Sequence, residues 1–156
     1  MVTRDMLTMR AKYALRAMCA LARADQVRLP AHAIAADSRA PGKFLEAILL
    51  DLRTAGFVDS RRGHNGGHAL ARPAEEIMVG DLIRAIDGPL APVRCASVTA
   101  YQPCHDCPDP HACGLRLLMR EARDALCSVL DRRSLRDLAL TWSTSTPLLA
   151  LDGEAA

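Results

Sequence analysis

Apolar residues recur at helical spacing along most of this chain, and the pattern breaks in two places. From Thr8 onward, Leu15, Met18, Leu21 and Ala22 form one stripe, which predicts a helix capped by Thr8 and running to about Arg23. Asp25 to Leu29 is a polar break. Pro30 opens a short Ala-rich helix to about Ala36, anchored by Ile34, and Asp37-Ser38-Arg39-Ala40 reads as a tight turn. Pro41 suits the first position of the next helix, which runs to about Ala55 before Gly56 stops it. Its buried face is Phe44, Leu45, Ile48, Leu49 and Leu52; Gly42, Lys43, Glu46, Ala47 and Arg53 face away. Two helices joined by a short turn, the second amphipathic, outline a helix-turn-helix.

The first break in helical spacing comes next. Phe57 to Arg62 and His68 to Ala71 are strand candidates around Gly63-His64-Asn65-Gly66-Gly67, a turn rich in residues that tolerate positive φ. A hairpin after a helix-turn-helix makes a wing, with Arg61 and Arg62 near its tip, in reach of phosphates or a minor groove. Helical spacing resumes from Glu75 to Asp87 with Ile77, Val79, Leu82, Ile83 and Ile86, and Gly88-Pro89 ends it.

The second break runs from Pro92 to Cys113, where Pro92, Pro103, Pro108 and Pro110 predict no regular structure. The longest helix follows, Gly114 to Leu130. Its seam is Leu115, Leu118, Met119, Ala122, Ala125, Leu126, Val129 and Leu130, broad enough to pack on its own domain and on a second copy. Ser134 caps a last helix to Leu140, and the tail after Thr141 reads as loose.

The fold class expected is mainly α with a small β-hairpin wing: a winged helix-turn-helix plus a long dimerisation helix. Three parts are expected: a DNA-binding domain over 1–73, a cysteine-loop sensor and dimerisation region over 74–140, and a loose tail over 141–156.

Composition sharpens this division. Of 156 residues half are hydrophobic but only 3% aromatic, so the core must be Leu, Ala, Ile, Val and Met. The net charge of +2 conceals a polarity. Residues 1–72 hold twelve Lys/Arg against six Asp/Glu, a balance of +6, and the remainder holds eight against twelve, −4. A basic half joined to an acidic half fits a polyanion-binding unit with a separate regulatory part, although two ordinary solvated surfaces have the same sums. Neither a signal-peptide run nor a membrane-spanning stretch is present, which places the protein in the cytoplasm with no membrane partner. There, six cysteines read as thiols or metal ligands rather than a disulfide framework.

Four of them crowd the irregular loop: Cys95, eight residues, Cys104, two residues, Cys107, five residues, Cys113. Thiolates suit zinc, copper(I) or iron–sulphur clusters, and a loop lets several side chains converge as a straight helix cannot. The spacing is not that of a zinc ribbon, and irregular spacing is commoner for an iron–sulphur site. Unligated surface thiols are the plain alternative. His105 and His111 are further ligand candidates. Cys19, on the first helix among Ala and Met, reads as a small core residue, and Cys127 lies off the long helix's seam with no role assigned. His64 and His68 read as phosphate-side or solvent histidines.

Taken together, several segments resemble a known family. They are Lys12 to Met18, Pro41 to Glu46, Leu52 to Val58, Arg62 to Gly67, Leu70 to Pro73 and Ile77 to Ile86, followed by the cysteine loop. The resemblance is to the Rrf-two family of bacterial winged-helix transcriptional regulators (IscR/NsrR/RirA-like), and it covers roughly residues 6–140. It implies a homodimer on double-stranded promoter DNA and, in many members, an iron–sulphur cluster held by three loop cysteines. Cys95, Cys107 and Cys113 match those three. The 95–107 gap is longer than usual and contains Cys104, a possible additional ligand, and where one branch has a histidine after the last cysteine this chain has Arg116. Neither 2Fe–2S nor 4Fe–4S is selected by these thiolates.

The resemblance places a recognition-helix glutamate at Glu46, able to accept from cytosine N4, and a wing arginine at Arg62, suited to a narrow minor groove. Arg39, Lys43 and Arg61 are expected on phosphates. Ala40, before Pro41, is a poor N-cap, which leaves Ser38 or DNA to satisfy the first amides of the helix.

The reading is a repressor whose operator binding is controlled by an iron–sulphur cluster responding to iron, redox or nitric oxide. Its rivals are a regulator with zinc or no metal, working as a thiol–disulfide switch, and, more remotely, an enzyme using Cys104 and Cys107 as a dithiol pair. No paired carboxylates, phosphate loop or Ser-His-Asp pattern supports other catalysis, so no enzyme is expected.

Overall fold

The computed structural model describes residues 6–144. In chain order the elements are α1 (Met9–Arg23), α2 (Ala31–Ser38), α3 (Gly42–Thr54), β1 (Val58–Arg61), β2 (Gly67–Leu70), α4 (Val79–Asp87), α5 (Gly114–Leu130) and α6 (Leu135–Thr144). Short 3₁₀ turns stand at Ala74–Glu76 and Arg94–Ala96. It is a mainly helical winged helix, as the hydrophobic pattern predicts.

The centre is α1, which packs against α2, α3, α4, α6 and β2. Neighbours on so many sides leave room for little but small or flexible side chains, hence Ala11, Ala14, Ala17, Met18 and Cys19. Thr8 caps the helix as expected: its Oγ1 accepts from Ala11 N at 3.1 Å, and its own amide donates to Asp87 Oδ2 at 3.0 Å. The start of α1 is thereby tied to the end of α4. One apolar cluster extends from Ala14 through Ile34, Leu45, Ile48, Leu52, Ile77 and Leu82 to Leu135 and Ala139. The two halves of the chain also meet through backbone, with Val79 N donating to Arg133 O at 2.9 Å and Leu135 N to Ile77 O at 2.8 Å. Ser134 caps α6, its Oγ accepting from Asp137 N at 3.1 Å.

The structure corrects the sequence pattern in several places. Asp37 and Ser38 belong to α2, and the turn is made by Arg39 in the left-handed region (φ 55°). Ser38 is buried and donates to Ile34 O at 2.7 Å, so it does not cap α3, which starts from Pro41 with no side-chain cap. Phe44 is not in the core. It is 40% exposed and packs edge-on against Tyr13, with ring centroids 5.8 Å apart. The helix predicted from Glu75 begins only at Val79, because Met78 is extended and bridges to Ser134. The cysteine loop contains a 3₁₀ turn with Cys95 buried inside it. On α5 the only buried residue is Cys127, which was placed off the seam, while Leu115, Leu118 and Val129 are 63%, 56% and 61% exposed. Finally, α6 runs to Thr144 rather than Leu140; the rest of the expected tail, 145–156, lies outside the described residues.

Candidate functional site

The wing meets the exposed face of α3 in a groove of about 260 Å³, lined by Glu46, Leu49, Leu50, Arg53, Ser60, Arg61, Arg62 and His68. Three of the expected DNA-contacting residues, Glu46, Arg61 and Arg62, are thus brought together. Arg39 and Lys43 are exposed on the turn and the first turn of α3, outside the groove. Leu50 (60% exposed) and Arg53 were not among the expected contacts, although they follow Glu46 at helical spacing.

The wing is held by a residue no local motif marks. The Arg28 guanidinium donates to the carbonyl oxygens of Asp59 (3.2 Å) and Gly67 (3.3 Å) and pairs with the Asp59 carboxylate. That arginine holds Asp59 below the usual carboxylate range. Beside it, Leu29 and His68 exchange backbone hydrogen bonds of 2.8 and 2.9 Å, adding a third segment to the two-stranded hairpin. The approach requires Gly67: a Cβ there would sit 2.8 Å from Leu29 O, and its φ is 128°. Ser60 Oγ and His68 Nδ1 are 2.8 Å apart. Burial, then the charges of Arg28 and Arg53, lowers the pKa of His68, so this face is positive through its arginines and not its histidine.

The second site lies at the root of α5. Cys95, Cys104, Cys107 and Cys113 line one cavity of about 390 Å³ together with Asp106, Asp109, Leu115 and Arg116. His105 and His111 do not line it. A hydrogen bond with Cys95 raises the pKa of Cys104, and burial followed by the nearness of Cys113 raises that of Cys107. Crowded thiols resist ionising together; a bound cation removes that resistance, so the donor set fits a metal centre. Among the described residues, no three His, Cys, Asp or Glu side chains are gathered tightly enough for a single ion. Cys19, by contrast, is pushed up to about 11 by burial in the core.

The cavity and the wing groove are connected through packed elements. The loop that carries it begins at the end of α4, and α4 packs on both α1 and α3. Arg84 of α4 grips Asp131, just past α5, through Nη1 (2.7 Å) and Nη2 (2.9 Å) and also reaches Cys127 Sγ at 3.4 Å. This pair holds Asp131 below the usual carboxylate range.

The comparisons with known proteins settle the class. The family model described as Rrf2, iron-dependent transcriptional regulator, matches residues 7–141. The chain belongs to the Rrf2 family. It is 41% identical to an rrf2-like HTH-type transcriptional regulator of Rhodobacter capsulatus, over 92% of this chain and 99% of that one. The solved structure of CymR, the global cysteine regulator of B. subtilis, superposes with a TM-score of 0.70 at 32% identity, covering 86% of this chain and 96% of that one. T. potens IscR shares the fold, with a TM-score of 0.69 at 23% identity over 92% of this chain and 94% of that one. As an Rrf2 protein this chain is a DNA-binding transcriptional regulator, and its relatives and fold are those of regulators, not enzymes. The dithiol-enzyme reading is thereby removed. No helix among the described residues is long and apolar enough to cross a membrane.

Proposed function

We propose that this Rrf2 regulator is a homodimeric repressor whose grip on promoter DNA is set by an iron–sulphur cluster bound at Cys95, Cys107 and Cys113, with Cys104 as the fourth thiolate. The carrying observation is the shared cavity: four cysteines from a 3₁₀ turn, a loop and the start of α5 line one space. A single zinc ion, with Zn–S bonds of about 2.3 Å, would draw all its thiolates into close contact. The thiols here border a cavity instead, which suits a polynuclear centre. When bound, the cluster would supply a redox- and iron-sensitive charge at the root of α5.

Residues 1–73 then read the DNA and 74–140 carry the sensor and the dimer contact. Glu46 selects bases, Arg62 reads the minor groove, and Arg39, Lys43 and Arg61 hold phosphates. The dimer reading rests on α5, a 17-residue helix, about 25 Å long, that turns Leu115, Leu118 and Val129 outward along one face. A second copy of the same face would cover that row. A change at the cavity displaces the start of α5, and Arg84 passes the strain to α4 and so to α3. A coupling of about 1–3 kcal/mol suffices for a useful switch.

The test is anaerobic purification with iron, sulphide and zinc quantification and a visible absorption spectrum, followed by operator binding with and without the cluster. Iron with matching sulphide, lost in Cys113→Ser, is the expected result; unchanged iron in that variant overturns the assignment. The second reading, a thiol–disulfide switch with zinc or no metal, rests on the same four free thiols lining one cavity. Zinc alone, or a reversible disulfide without iron, would select it and leave DNA binding untouched.

A further inference from the structure

Arg116 lines the cysteine cavity without being able to serve as a ligand there, because a guanidinium stays protonated and has no lone pair to give. Its contacts are unusual for a helix residue. From the first turn of α5, three residues after Cys113, it reaches back across the loop. Its Nε donates to Cys95 O at 2.9 Å, and its Nη1 donates to Pro110 O at 3.2 Å. The guanidinium carbon stands 5.5 Å from the centroid of the Tyr101 ring. One half-buried side chain therefore touches the segment of the first cysteine, the middle of the loop and the segment just before the last cysteine. No carboxylate among the described residues forms an ion pair with it, and Asp106 and Asp109 share the cavity wall without coming within salt-bridge distance of the guanidinium. Two of its five N–H donors are committed to carbonyls, which leaves donors and a full positive charge at the cavity wall.

We propose that Arg116 is the positioning residue of the cysteine site. It clamps the two ends of the loop onto α5, and it presents the cation that balances the thiolates gathered there. The clamp stands on the hydrogen bonds alone. The electrostatic role rests on the cluster reading above: a fixed positive charge beside an anionic centre favours the state carrying one more electron, so the reduction potential is held higher than the thiolates alone would set it.

Two variants of the full chain separate these roles. Arg116→Gln removes the charge, and Arg116→Lys keeps it without the two-carbonyl fork. In metal-free protein, hydrogen exchange of the amides over 94–102 should quicken at least about tenfold in both variants, while those of α1 stay unchanged, as expected for local opening. Unaltered exchange over 94–102 overturns the clamp. In cluster-loaded protein, Arg116→Gln should lower the midpoint potential by about 59 mV, a tenfold shift for a one-electron couple, and Arg116→Lys should restore most of it. Equal potentials in the lysine and glutamine variants overturn the electrostatic role, because loosened packing alone would affect both alike. Wild-type protein without iron and sulphide overturns the cluster reading and that role with it, while the exchange measurement still decides the clamp.

Discussion

Replacing Gly80 with alanine is the sharpest test of the joint between α4 and α5. In a helix interior Gly→Ala stabilises by about 1 kcal/mol, because alanine loses less backbone freedom on folding, and Gly80, second residue of α4, should gain about half of that. Gly80 is buried in α4, and a Cβ there would run into Asp131 Oδ1, with Arg84 Nη1 at 3.1 Å and Asp131 Cγ at 3.2 Å. The carboxylate must swing away, which breaks the two-pronged pair with Arg84. Hydrogen bonds to charged groups contribute about 1.5–3 kcal/mol. These side chains are 29% and 42% exposed, so screening reduces the pair to about 1.5 kcal/mol. The lost pair outweighs the helix gain, leaving Gly80→Ala destabilising by about 1 kcal/mol. In an Asp131→Ala background the carboxylate is gone, and the same substitution should stabilise by about 0.5 kcal/mol. The assay is urea unfolding of the four proteins of this cycle at one fixed concentration. A coupling of about 1.5 kcal/mol with a reversal of sign is expected; the same gain in both backgrounds would refute the reasoning. Because Asp131 titrates below its unfolded range, the pair's contribution is complete above about pH 4 and is lost as the pH falls through the lower folded value. The coupling should therefore be flat from about pH 5 to 8 and shrink in acid.

Three further outcomes are expected. Brief alkylation of native, metal-free protein at pH 7.5 should label Cys104, Cys107 and Cys113 and spare Cys19, whose burial pushes its thiol up to about 11; mass spectrometry of the peptides checks this, and early labelling of Cys19 would contradict its core placement. Arg28→Met should weaken operator binding about tenfold by freeing the wing, with the salt dependence unchanged because no phosphate contact is lost; a shallower salt slope in fluorescence anisotropy would show instead that Arg28 touches the backbone of DNA. Glu46→Ala should cost about 1–3 kcal/mol of discrimination at one base pair and leave non-specific affinity equal or higher; uniform weakening across all sequences would remove Glu46 from base reading.

Local signals account for much of what was legible. The Thr8 cap, the stop at Gly56 and the span of α5 follow from nearest-neighbour chemistry and are found where the residues put them; the wing return is displaced by one residue, because Gly67 pairs with Arg61 and opens β2. The misplacements share a cause. Met78 has helix-compatible neighbours, yet its backbone pairs with Ser134, fifty-six residues later in the chain, so α4 starts late. Ser38 looks like a cap in a polar tetrapeptide, yet it is buried and bonds inside its own helix. At the candidate sites the four cysteines were legible from composition and spacing, whereas Arg28, Arg53 and Arg116 were not marked as site residues, because an arginine on a helix or in a polar break looks like solvated surface. Arg28 declares itself only through partners 31 and 39 residues away.

The sequence by itself determined the order and type of elements, the basic and acidic halves and the thiol-rich loop. Each depends on contacts a few residues apart or on composition, and these survive in any reasonable packing. Only the tertiary structure decided which face of α5 is left outward, that Cys127 is the residue α5 buries, that Arg84 and Asp131 tie α5 to α4, and that four cysteines share one cavity with Arg116 at its wall. Those outcomes depend on how distant segments meet. A helical stripe specifies what can be buried, but the partner surface chooses what is.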